Sequence, residues 1–172
     1  MEKKDHPQNV QKALLVSRYA TPLAILLVVL GIIVSNPVGW ARDISLFLLC
    51  FGILFNLAAG WWMKKKDQVH PAFMGFRLAL NLGSNILIVY LLGGYWSPIW
   101  MLLALTPMAT AIYDSRAKTL GISAGVVFIL VLLQALRGMN SPLDWGQVAA
   151  RGCFIVLMSL MINDLAALAR KK

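Results

Sequence analysis

An all-α, polytopic membrane protein is the architecture this sequence predicts, and three observations carry the expectation. Apolar residues make up 59% of the 172 positions and charged residues 13%, against about 45–50% and about 25% in soluble domains. Mean hydropathy is +0.72. The apolar residues fall in long runs without strand-like alternation, which suits self-satisfied helices better than a barrel. The 16 lysines and arginines gather mostly between those runs, where they anchor a chain in a bilayer. At about 20 residues per crossing, about seven spans at most fit the length, with no room for a large soluble domain.

Residues 1–12 form a polar segment. The run Ala13–Val34 exceeds a signal-peptide core and is not closed by a small-residue cleavage site, so it predicts a retained first span over about 15–35. Further spans are expected over about 44–63, 73–92, 97–113, 117–136 and 147–168. The fourth opens at Ser97-Pro98, and the sixth follows the turn Asn140–Asp144. A six-helix domain at 13–168 and a basic tail at 169–172 complete the organisation. No internal repeat is visible, which weighs against a transporter.

With six spans, one side of the membrane holds Lys3, Lys4, Lys12, Arg18, Lys64, Lys65, Lys66, Arg77, Arg116, Lys118, Arg170, Lys171 and Lys172, which is 13 of the 16 basic residues. Arg42, Arg137 and Arg151 fall on the other. This asymmetry predicts both termini in the cytoplasm. It also accounts for the net charge of +9 without a nucleic-acid partner. Trp61 and Trp62 are expected at the inner interface, and Trp40, Trp96, Trp100 and Trp145 at the outer one.

The catalytic inventory is thin. His6 and His70 lie in polar segments, and no HExxH, Walker A or GxSxG pattern is present. Cys50 and Cys153 have no metal-type spacing. The expectation is therefore a non-enzyme with no metal site. Polar residues inside spans matter more, because their desolvation is costly. Arg77, Asn81, Ser84 and Asn85 share one helix face, while Asn163 and Asp164 fall at similar depth in the sixth span. An Arg77–Asp164 clamp follows as an expectation. Gly121-Ile-Ser-Ala-Gly125 fits close helix contact, expected within the chain rather than at a homodimer seam.

The turn after the third span has the richest chemistry. Gly93 and Gly94 end that helix, Ser97 is placed to cap the fourth, and Pro98 suits its first turn. Exposed backbone donors and a helix N-terminus beside Tyr95, Trp96 and Trp100 match a quinone, which needs donors for its carbonyls and flat apolar surfaces. Gln134, near the same end of the fifth span, is a further candidate donor.

The segment Gly93-Gly94-Tyr95-Trp96-Ser97-Pro98-Ile99, after an Arg-led third span and before a basic turn, resembles the membrane input domain of bacterial sensor histidine kinases. The similarity is to redox sensors of the RegB/PrrB type, whose loop reads Gly-Gly-x-x-Asn-Pro-Phe. Ser97 stands in place of the Asn and Ile99 in place of the Phe. The resemblance implies a six-helix fold and quinone binding at this loop. The histidine box and ATP motifs of a kinase are absent from these 172 residues. The expected function is thus a sensor-like membrane module, quinone-responsive and acting through a protein partner. The alternative is an accessory subunit of a larger membrane complex.

Overall fold

The computed structural model describes residues 6–65, 71–94, 96–112, 114–138 and 141–169, and every regular element among them is helical. The order is α1 His6–Ser35, α2 Gly39–Lys65, α3 Pro71–Leu92, a 3₁₀ turn Ser97–Trp100, α4 Met101–Ala111, α5 Arg116–Leu136 and α6 Pro142–Ala169. Five helices are long and apolar enough to cross a membrane, which is compatible with a multi-pass membrane protein. The remaining apolar stretch is Ser97–Ala111. One 3₁₀ turn and eleven α-helical residues extend about 25 Å, short of a hydrocarbon core about 30 Å thick. The expected fourth span at 97–113 is therefore the shortest of the set.

Local chemistry explains the ends. α1 stops where Asn36 adopts a left-handed backbone, φ 41, before Pro37, which cannot extend the ladder. The Ser35 hydroxyl donates to the Gly31 carbonyl in the same last turn. α5 begins at the Ser115 cap, whose side chain accepts from the Lys118 N–H, and gives way to Gly138 at φ 85. α6 starts at Pro142, five residues before the expected 147, because Ser141 and Asp144 form a reciprocal cap. The Ser141 N–H donates to Asp144 Oδ2 at 3.1 Å, and the Asp144 N–H to Ser141 Oγ at 3.2 Å.

The chain forms two compact units, residues 1–102 and 103–172. In the first, α2 packs against α1 and α3, and the 3₁₀ turn packs against α1 and α3. Leu27 and Val28 of α1, Ala59 and Met63 of α2, Ile88, Val89 and Leu92 of α3, and Ile99 are buried. Gly31 of α1 also belongs here. A Cβ on it would stand 2.8 Å from Trp96 Cε3, so the indole lies against bare helix backbone. Gly31→Ala is expected to push this ring aside and destabilise the protein by about 1–3 kcal/mol. Detergent unfolding monitored by Trp fluorescence would measure it. A midpoint equal to wild type would show that the contact has slack.

In the second unit, α5 packs on α6 along two buried lines. Thr119, Ser123, Val126, Leu130 and Leu133 form one; Val148, Gly152, Ile155, Ser159 and Asn163 form the other. Their steps of three and four residues keep one face of each helix in the seam. Small residues let the backbones approach: a Cβ on Gly152 would lie 3.1 Å from Val127 Cγ1. Gly121 and Gly125 do not serve this contact. Both are exposed, with nothing within 4 Å of an added Cβ. Within the second unit, Gly121 and Gly125 therefore take no part in the α5–α6 seam, which lies on another face of α5.

Candidate functional site

The turn between α3 and the 3₁₀ helix is built by hydrogen bonds from its own backbone. The Gly93 N–H donates to Val89 O at 2.9 Å, Trp96 N–H to Leu92 O at 2.9 Å, and Ile99 N–H to Trp96 O at 3.3 Å. Two of the donors expected to face a ligand, the Gly93 and Trp96 N–H groups, are therefore satisfied within the chain. The capping expectation also changes. Trp96, at φ −135 and ψ 104, is the N-cap, without a side-chain cap bond, and Ser97 is the first residue of the turn. Pro98 sits in that first turn as expected.

The aromatic residues divide. Trp40, Trp61, Trp62 and Trp145 are exposed, as an interface belt requires. Trp96 and Trp100 are half-buried and belong to the interior packing of the turn. Gly94 and Ser97 are its exposed members. Apart from its chain neighbours, no residue comes within 4 Å of an added Cβ at Gly94, and its φ is outside the left-handed range. Neither crowding nor backbone strain within the chain requires glycine there. Tyr95 lies outside the described residues. Gln134 belongs to the second unit, is half-buried, and its carbonyl accepts the Arg137 N–H at 3.1 Å.

A polar network occupies the α2–α3 interface of the first unit. Arg77 is 8% exposed, and its Nε donates to Asn56 Oδ1 at 2.9 Å. Asn56 and Asn81 exchange bonds of 2.9 Å and 3.2 Å. Asn56 also donates to the Gly52 carbonyl at 2.8 Å. Arg77 Nη1 lies 4.0 Å from Met63 Sδ, and Asn85 Nδ2 donates to the Leu102 carbonyl at 3.2 Å. The stripe on α3 thus has its main counterpart in Asn56. The signal for Asn56 in the sequence is that it is the one side-chain amide of α2.

Asp164 has a different setting from the one expected. Its carboxylate, 55% exposed, lies 4.0 Å from Arg116 Nη2, itself 69% exposed. Arg77 and Asp164 thus belong to different units, and each has a partner within its own. The buried member of the α6 pair is Asn163, at 3% exposure. Its Nδ2 donates to the carbonyls of Ala111 at 2.8 Å and Asp114 at 2.9 Å, and to Thr119 Oγ1 at 3.3 Å. One amide thereby holds the end of α4, the connecting turn and the first turn of α5. Cys50 and Cys153 are free and exposed, and no three potential metal ligands cluster among the described residues.

No protein-family model, curated protein or solved structure matches this chain.

Proposed function

We propose that the chain is a sensor-like module of a bacterial inner membrane. It spans six times with both termini cytoplasmic, binds a quinone head group, and signals through a protein partner without catalysis of its own. The basic residues favour this orientation by 13 to 3. The quinone reading rests on the Gly-Gly-x-x-Ser-Pro loop. The single observation that carries it is the exposed Gly94, beside which open space replaces intramolecular contact. A planar ring can approach bare backbone there, next to Ser97 and close in sequence to Trp96, which is braced on Gly31.

Quinone titration by Trp quenching in nanodiscs tests this reading. Wild type should show saturable quenching. Gly94→Leu fits the open space and should keep wild-type stability, yet it should abolish saturation by filling the site. Ser97→Ala should weaken binding several-fold, the effect of one hydrogen bond of about 0.5–1.5 kcal/mol. Equal quenching by all three proteins would mean partitioning into lipid and would reject the site.

The second reading is an accessory subunit of a larger membrane complex, or a homodimer. Gly121 and Gly125 of α5, which the α5–α6 seam does not use, favour it, because open glycine surfaces admit another helix. Native mass spectrometry that retains a stable assembly but no exchangeable quinone would select it.

A further inference from the structure

We infer that the α2–α3 end of the first unit is a docking surface for anionic phospholipid head groups. The feature is independent of the quinone reading. α2 ends in Trp61-Trp62-Met63-Lys64-Lys65. Trp61 is 61% and Trp62 38% exposed, so both indoles are presented at the terminus of an apolar span, the position where such rings meet lipid head groups. The Lys65 ammonium stands 3.6 Å from the centroid of the Trp61 ring. This cation–π contact holds the charge beside the ring rather than leaving it on a free stem. The ring of Trp62 meets Phe73 of α3 at 4.7 Å, which ties the two helix ends together.

Charge selects the occupant. Arg77 sits buried beside Met63, where its field is weakly screened. Lys64 and Lys65 are the last two residues of α2, and the negative end of the helix dipole stabilises the Lys65 ammonium there. The only carboxylate among the described residues of the first unit is Asp43. It is paired with Arg42 at 3.0 Å, 22 residues before Lys65 on the same helix, or about 33 Å away. Among the described residues, this end of the unit thus carries cations and no carboxylate, flanked by exposed indoles. An acidic lipid supplies the matching phosphate for the ammonium and acyl chains for the rings.

The full chain, extracted from nanodiscs of phosphatidylcholine alone or mixed with phosphatidylglycerol, is examined by native mass spectrometry for retained lipid. Wild type should retain phosphatidylglycerol preferentially. Neutralising Lys64 and Lys65 together, each to Gln, should cut that preference by roughly 25-fold, about five-fold per lysine. Trp61→Leu keeps the charge and should cost about two- to five-fold, through loss of the ring that positions Lys65. Lys171→Gln with Lys172→Gln removes the same net charge from the basic tail and should reduce the preference less than the α2 pair does. Thermal melts of each variant confirm folding. No preference in wild type would overturn the proposal, as would equal loss in the tail control. Wild-type retention by Trp61→Leu would reduce the surface to bare charge and overturn it too. Displacement of the lipid by millimolar inorganic phosphate would identify a solute site instead.

Discussion

Replacing Asn163 by leucine is expected to destabilise the protein by about 2–4 kcal/mol, the largest loss from any single buried polar group in the second unit. Leucine keeps the branching and heavy-atom count of asparagine without its hydrogen bonds, and its larger methyl groups add an overpacking cost. Two carbonyls, Ala111 O and Asp114 O, and the Thr119 hydroxyl lose the amide that serves them. The Ala111 carbonyl lies at the end of α4, where intrahelical donors run out, and Ala111 is fully buried. Water cannot easily replace the lost donor. Unfolding in detergent measures the loss, and hydrogen exchange should localise it to residues 111–119. A shift below about 0.5 kcal/mol would show that the turn finds other donors. Asp164→Asn is the internal contrast. Its pair with Arg116 is long and exposed, and such pairs contribute about 0–1 kcal/mol.

The second large effect is expected at Asn56. Its Oδ1 accepts from both Arg77 Nε and Asn81 Nδ2, so Asn56→Leu strips an acceptor from a buried guanidinium and from an amide together. Hydrogen bonds to charged groups contribute about 1.5–3 kcal/mol, while interhelical bonds within membranes average nearer 0.6 kcal/mol. The charge of Arg77 places the expectation in the upper range. A double-mutant cycle with Asn81→Leu should give a coupling above about 0.5 kcal/mol, since the two amides also bond each other. Strict additivity would mean that the amides contribute separately. Arg77→Lys should recover little, because an ammonium lacks the planar Nε donor that Asn56 receives.

The chain's own order of residues determined the helices. Apolar runs located each of the six helical stretches, and Ser115, Asn36-Pro37 and Ser141-Pro142 mark ends by local chemistry that needs no distant partner. The Arg77 stripe was legible for the same reason, because a 3.6-residue period assigns residues to a common face. What faces what was not legible. Asn56 lies 21 residues from Arg77, and Asn163 lies 52 from Ala111, so both choices depend on how helices are rotated against one another. At the α3 turn, the sequence placed the glycines and tryptophans, but only packing seated Trp96 on Gly31 and left Gly94 open. The seam of the second unit makes the same point: Gly152 meets Val127, while Gly121 and Gly125 lie outside the seam. A small residue permits close approach on whichever face carries it. Which such face becomes buried is settled by the summed side-chain fit of two whole helices, a property that no single helix contains.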